Sequence, residues 1–184
     1  PKSMTNPPQQ KSNYWDPFFA NGQEVSLLHL DPFEFLCPTP DGNQRRVRVI
    51  YSPHVFTREH ISEQDHPAGK CFDARIFCPT RYADSHNLNP IVVNLPKARV
   101  FQTWEKRNYV FLAVETPRRD DQYHLFFEVK KINRKRNKHI ELRVESAYRK
   151  LNSSYAPPNK PNAVRFPILI QNVFMGRPLI FAAR

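Results

Sequence analysis

The sequence predicts an α+β fold: a single domain on an antiparallel, twisted β-sheet of meander form, with one or two helices packed against it. Three observations lead there. Eighteen prolines stand against four glycines and aromatic residues make up 12% of the chain, a balance that favours extended segments and rigid turns over a helical bundle. Apolar and polar residues alternate with period 2 in runs between residues 33 and 55 and again between 100 and 148, the spacing of strands with one buried face. A chain of 184 residues supports one proper core and is short for two.

Residues 1–13 are polar and proline-rich and read as a flexible arm; Pro1-Lys2-Ser3 ahead of Met4 reads as an expression-tag remnant and is set aside. The core domain is assigned to 14–154, its entrance anchored by Tyr14, Trp15, Phe18 and Phe19, while 23–30 fits either a short helix or a strand. Runs 33–38 and 45–55 form a hairpin about Pro40-Asp41-Gly42-Asn43, where Asp-Gly supplies positive-φ geometry. Its second strand puts Val47, Val49 and Tyr51 on a buried face and Arg46, Arg48 and Ile50 on a wet, basic one. Residues 57–74 read as a long polar loop and 75–78 as a short strand. One helix is expected in 81–95, where Pro90 suits a first helical turn. Strands at 100–104, 108–115, 123–131 and 140–148 complete the meander. The 155–184 segment is a proline-rich linker and then a helix: Phe166, Leu169, Ile170, Val173 and Phe174 share one face, and Gly176 ends it.

Charge points to the partner. Twenty-eight Lys and Arg against seventeen Asp and Glu leave a formal net charge of +11, and neutralising phosphate is the main sequence-independent source of nucleic-acid affinity. The densest basic stretch is the hairpin 126–150. Candidate nucleic-acid-binding residues are Arg46, Arg48, Lys130, Lys131, Arg134, Lys135, Arg136, Lys138 and Arg149, and the basic groups at 45–48, 106–107, 118–119 and 130–138 are expected to project together from one sheet edge. Aromatic rings interleave with cations at 101–111 and 123–127; two or three of them, such as Trp104 or Tyr148, are expected to stay exposed for base stacking.

Two clusters carry chemistry. Along 51–60, His54 can exchange a proton near neutral pH, and Arg58, with Arg81 further along, can hold phosphate. These are the parts of metal-free RNA cleavage, in which a base takes the 2′-OH proton while cations steady the phosphorane. The bland alternative is a histidine closing a strand end. On the last strand, Leu142, Val144, Ser146 and Tyr148 are expected on one face, with Glu141, Arg143, Glu145 and Arg149 on the other. The histidines and cysteines His54, His60, His66, Cys71 and Cys78 follow no zinc spacing, and Asp84-Ser85-His86 has no nucleophile-elbow sequence around it. No metal and no cofactor are therefore expected. Three cysteines without a CxxC pair fit a reducing cytoplasm, and no run is long and apolar enough to imply a membrane.

The Ser146-Ala147-Tyr148 end of the last strand, the early histidine segment and the aromatic meander together resemble the superfamily of toxin and phage ribonucleases that includes barnase, colicin-type tRNA nucleases and RelE-like messenger RNA interferases. The resemblance spans roughly residues 45–150. It implies a toxin-type endoribonuclease acting on tRNA, mRNA or the ribosome, an acidic antitoxin or immunity protein as partner, and Ser146 and Tyr148 lining the cut site; His54, Arg58 and Arg81 come from the residues alone. Two other classes stay open: a non-enzymatic nucleic-acid- or ribosome-binding module of phage or mobile-element origin, and an inhibitor whose basic face covers an acidic protein.

Overall fold

In the computed structural model, which describes residues 11–103, 109–113, 121–151 and 162–179, the fold is mixed α+β about a seven-stranded sheet. A small hairpin, β1 (Phe18–Ala20) and β2 (Gln23–Val25), precedes it, and 23–30 resolves into β2 followed by a 3-10 turn at Leu28–Leu30. The predicted hairpin forms as β3 (Phe33–Pro38) and β4 (Gln44–Tyr51), with Gly42 at φ 80° in its turn. Val47, Val49 and Tyr51 are buried while Arg48 is exposed, as the alternation requires.

The stretch after β4 is less open than a polar loop. It contains β5 (Thr57–Arg58) paired to β6 (Ile76–Phe77), with 3-10 turns at Pro53–Val55, Pro67–Gly69 and Phe72–Ala74. The single helix expected over 81–95 is two, α1 (Pro79–Ser85) and α2 (Leu88–Asn94). Pro90 explains the break: it has no N–H to give the carbonyl of His86, so it is accommodated only in the first turn of a new helix.

Strands β7 (Arg99–Gln102), β8 (Tyr109–Ala113), β9 (Asp121–Arg134) and β10 (Asn137–Leu151) run as the expected meander. β11 (Ala163–Arg165) then pairs with β7, giving the order β11-β7-β8-β9-β10-β4-β3. Among the described residues every pairing is antiparallel except β10 with β4, which is parallel from Ile140↔Val47 to Val144↔Tyr51. That contact is invisible in local sequence, because it joins segments some ninety residues apart.

α3 (Phe166–Met175) closes the buried face. Phe166, Leu169 and Ile170 are fully buried, Phe166 lies 6.1 Å from Phe127 by ring centroids, and Gly176 ends the helix in the left-handed conformation at φ 67°. Ile140, Leu142, Val144, Leu125, Phe127 and Tyr123 fill the sheet side of this core. A satellite of rings, Trp15, Phe18, Phe56, Phe72 and Phe77, packs at 5.4–6.0 Å beneath the Pro53–Val55 turn. Of the four anchors expected at the entrance, Phe18 and Trp15 pack inward, whereas Tyr14 and Phe19 are exposed. Most of the expected 1–13 arm and the 155–161 linker lie outside the described residues, as do Trp104 and the basic groups at 106–107 and 118–119. Among the described residues no helix is long and apolar enough to cross a membrane.

Candidate active site

The pairing of β10 with β9 slips between Val144 and Ser146, leaving Glu145 in a β-bulge. One extra residue reverses the alternation of everything beyond it. Ile140, Leu142 and Val144 are buried before the bulge; after it Ala147 is buried, and Ser146 and Tyr148 turn to the opposite, wetter face. The expected grouping of Ser146 and Tyr148 with Leu142 and Val144 is corrected accordingly. Tyr148 stacks on Phe126 of β9, with centroids 5.5 Å apart and planes 19° from parallel.

Just where the bulge occurs, β4 has ended. The Ser52 N–H reaches the Val144 carbonyl at 2.9 Å, and Ser52 caps the 3-10 turn by accepting from the His54 N–H. The turn thus lies against β10 and sets His54 beside the bulge. Its ring meets four charges. Asp73 Oδ2 lies 3.7 Å from His54 Nε2; Arg75, Arg81 and Glu145 are near enough to bias the ring's titration. Burial is the largest influence and lowers the His54 pKa from its ordinary value; Arg75 and Arg81 lower it further, against the opposing pull of Asp73 and Glu145. The net shift favours the neutral ring, the form that can accept a proton.

Both arginines are held by backbone. Arg81, on α1, donates through one terminal nitrogen to the carbonyls of Thr57 at 2.7 Å and His54 at 3.3 Å, and its guanidinium carbon sits 4.9 Å from the Tyr148 ring centroid. Arg75 donates from a terminal nitrogen to the Thr57 carbonyl at 3.4 Å, and also from Nε to Thr57 Oγ1 at 2.9 Å. Asp73 and Ala74 have φ of 53° and 57°, consecutive non-glycine residues in the left-handed region. Such a conformation costs about 1–2 kcal/mol per residue and persists only where neighbouring packing enforces it, here with Phe72 packed against Trp15, Phe18 and Phe56.

Of the residues expected to act together, His54, Arg81 and Tyr148 converge, with Ser146 alongside on the same strand face. Arg58 does not join them. Its guanidinium makes two bonds to Asp65, at 2.6 and 2.5 Å, and Asp65 also accepts from the Ile61 N–H, so the pair closes the loop instead of facing phosphate. Arg75, Asp73 and Glu145 take part in the cluster although the sequence did not single them out for it; the bulge and the parallel contact that gather them leave no local pattern.

The expected phosphate-binding residues divide into two groups. Arg149 forms a bidentate pair with Asp84 of α1, at 2.8 and 2.7 Å, which makes it a clamp between helix and sheet. Lys130 pairs with Glu141 at 3.1 Å, Arg46 approaches Glu34 at 3.8 Å, and Arg48 lies between Glu34 and Glu141 in the strand register. The open sheet face is therefore a lattice of alternating charge, and the wet, basic face expected at Arg46 and Arg48 is corrected to one in which acids offset the arginines. Lys131 turns to the other side, 4.5 Å from the Phe174 ring centroid. By contrast Arg134, Lys135, Arg136 and Lys138 are exposed at the tip of the β9–β10 hairpin.

The model of the YjaZ family matches residues 17–174, which takes in the sheet, the His54 cluster, the hairpin tip and nearly all of α3. The chain belongs to the YjaZ family. No curated protein and no solved structure matches it. Membership fixes no reaction, so the chemistry rests on the side chains. Among the described residues no three His, Cys, Asp or Glu groups gather as metal ligands, and Cys37, Cys71 and Cys78 are free thiols.

Proposed function

We propose that this protein is an RNA-binding endoribonuclease of toxin type that cleaves through attack of the 2′-OH, without a metal. The observation that carries the reading is the placement of His54 beside two arginines that can face phosphate, with Asp73 Oδ2 3.7 Å from its ring and Glu145 close enough to favour the protonated form. His54 takes the 2′-OH proton; the O2′–P bond forms as the P–O5′ bond breaks; the departing 5′ oxygen takes a proton from the Tyr148 hydroxyl. Arg75 and Arg81 offset charge on the phosphorane, a role pre-organised by their bonds to Thr57 and His54. Glu145 and Asp73 stabilise the imidazolium as it forms.

The free thiols fit a reducing cytoplasm, and the exposed cations of the hairpin tip offer a surface to RNA or to an acidic antitoxin. The test is incubation of labelled RNA with purified protein in excess chelator. Cleavage that disappears in His54→Ala and falls by about 10²-fold or more in Arg75→Ala supports the reading. RNA that is bound but left intact by the folded wild-type protein overturns it in favour of a non-enzymatic nucleic-acid- or ribosome-binding module.

A further inference from the structure

The β9–β10 hairpin extends past the described pairings of its neighbours. Among the described residues, β9 pairs with β8 only as far as Phe127, and β10 pairs with β4 only from Ile140 onward. Beyond those points, among the described residues, the ribbon continues through Arg134 and Asn137 with no further strand paired to it. This free part has no carboxylate: residues 129–139 read VKKINRKRNKH. Lys130 is paired with Glu141 and Lys131 rests over Phe174, which leaves Arg134, Lys135, Arg136 and Lys138 exposed and in no ion pair among the described residues. Four like charges within one turn repel one another, and an uncompensated cluster of this kind is stabilised by a polyanion.

The tip and the His54 cluster sit at opposite ends of the same two strands. At about 3.3 Å per residue the run of β10 from Asn137 to Tyr148 covers roughly 35 Å. Between them lies the charge-alternating face, where Lys130–Glu141 and Arg46–Glu34 pairs leave little net attraction. A ligand that gains from both ends must therefore bridge the middle by its own stiffness. The tip also lacks any aromatic ring: its residues are Asn133, Arg134, Lys135, Arg136, Asn137 and Lys138, which offer bonds to phosphate and no stacking platform for a loose base.

We infer that the hairpin tip is a second, remote phosphate site that docks the helical stem of a structured RNA while an unpaired segment of the same molecule enters the His54 cleft. This rests on the RNA reading above and adds the class of RNA. A B-form duplex, with about one phosphate per 1.7 Å of axis, covers roughly 35 Å in about ten base pairs, and an A-form RNA stem, which rises less per pair, needs somewhat more. The ligand is a stem of at least about one helical turn joined to a single-stranded stretch.

The experiment compares the full chain with Lys135→Ala/Arg136→Ala, both exposed turn residues, by fluorescence anisotropy against two RNAs: a stem-loop with roughly 16 base pairs and a single strand of about six nucleotides. The expected result is a loss of about tenfold in affinity for the stem-loop, a salt slope shallower by about two, and little change for the short strand. Stem-loop affinity within twofold of wild type overturns the inference, and so does an equal loss on the short strand. Cleavage assayed on the same RNAs separates the two ideas. Tip-dependent stem binding with no cleavage upholds this site and sinks the nuclease; cleavage with tip-indifferent binding does the reverse.

Discussion

Replacing Asp84 with Ala should loosen the helix that carries Arg81. Asp84 holds Arg149 through two charge-assisted bonds of 2.8 and 2.7 Å, with the side chains 14% and 18% exposed, so the pair is mostly out of water. Removing one partner of a fully buried pair costs about 3–5 kcal/mol, because the other charge is left without compensation. The residual exposure lets water reach Arg149 and brings the expectation down to about 2–3 kcal/mol. In a chain of this length that is a drop in Tm of about 5–10 °C. The assay is urea unfolding followed by circular dichroism at pH 7, run on Asp84→Ala, Arg149→Met and the double variant. Because the double variant carries no stranded charge, it should be less destabilised than the sum of the two singles by about 1–2 kcal/mol. Single variants within 0.5 kcal/mol of wild type, with additive effects, would refute the clamp.

Three further outcomes follow from the packing and the titrations. His29 stacks on His86 with centroids 3.7 Å apart and bonds Ser85 at 2.7 Å; burial first, and then His86, lower its pKa to about 4 from the ordinary 6.5. The unfolded chain therefore binds more protons between those values, so the stability from neutral His29 is complete above about pH 6.5 and falls as pH drops toward 4. Discounted for the half-exposed ring, the loss is about 1–2 kcal/mol, and unfolding of His29→Gln measured across that range should show a flatter profile. In RNA cleavage, the acidic limb of kcat/KM should lie below pH 6.5 and move lower still in Asp73→Asn, since Asp73 favours the protonated His54; an upward move contradicts the assignment. Phe166→Ala, which empties a fully buried site against Phe127, should cost about 3–5 kcal/mol in denaturant unfolding, whereas a loss under 1 kcal/mol contradicts the docking of α3.

The strands and the terminal helix were legible because each is written in local periodicity. Val47, Val49 and Tyr51 alternate with Arg46 and Arg48, and Phe166, Leu169 and Ile170 recur at helical spacing ahead of Gly176. The split into α1 and α2 is half legible: Pro90 signals a helix opening, while the apolar spacing on both sides of it reads as one longer helix. The candidate site was read less completely. His54, Arg81 and Tyr148 were named, yet the bulge at Glu145 that turns Tyr148 toward Arg81 has no signature in a strand otherwise alternating without fault. Charge misled in a specific way: counting cations finds Arg46, Arg48, Lys130 and Arg149 but misses the acids that offset them, Glu34 and Glu141 on neighbouring strands and Asp84 on α1. Only where a stretch contains no acid at all, as in residues 129–140, does composition alone locate a large exposed positive cluster.

The claim on which the functional account depends is that the His54 cleft activates a ribose 2′-hydroxyl. Its most direct test is the chemistry of the cut ends, analysed by mass spectrometry after incubation in chelator, with a matched RNA carrying a single 2′-deoxy residue at the cut position. The account predicts 2′,3′-cyclic phosphate and 5′-hydroxyl ends on the all-ribose strand and no cut at the deoxy position. Ends bearing a 5′-phosphate, or equal cleavage of both strands, would contradict it.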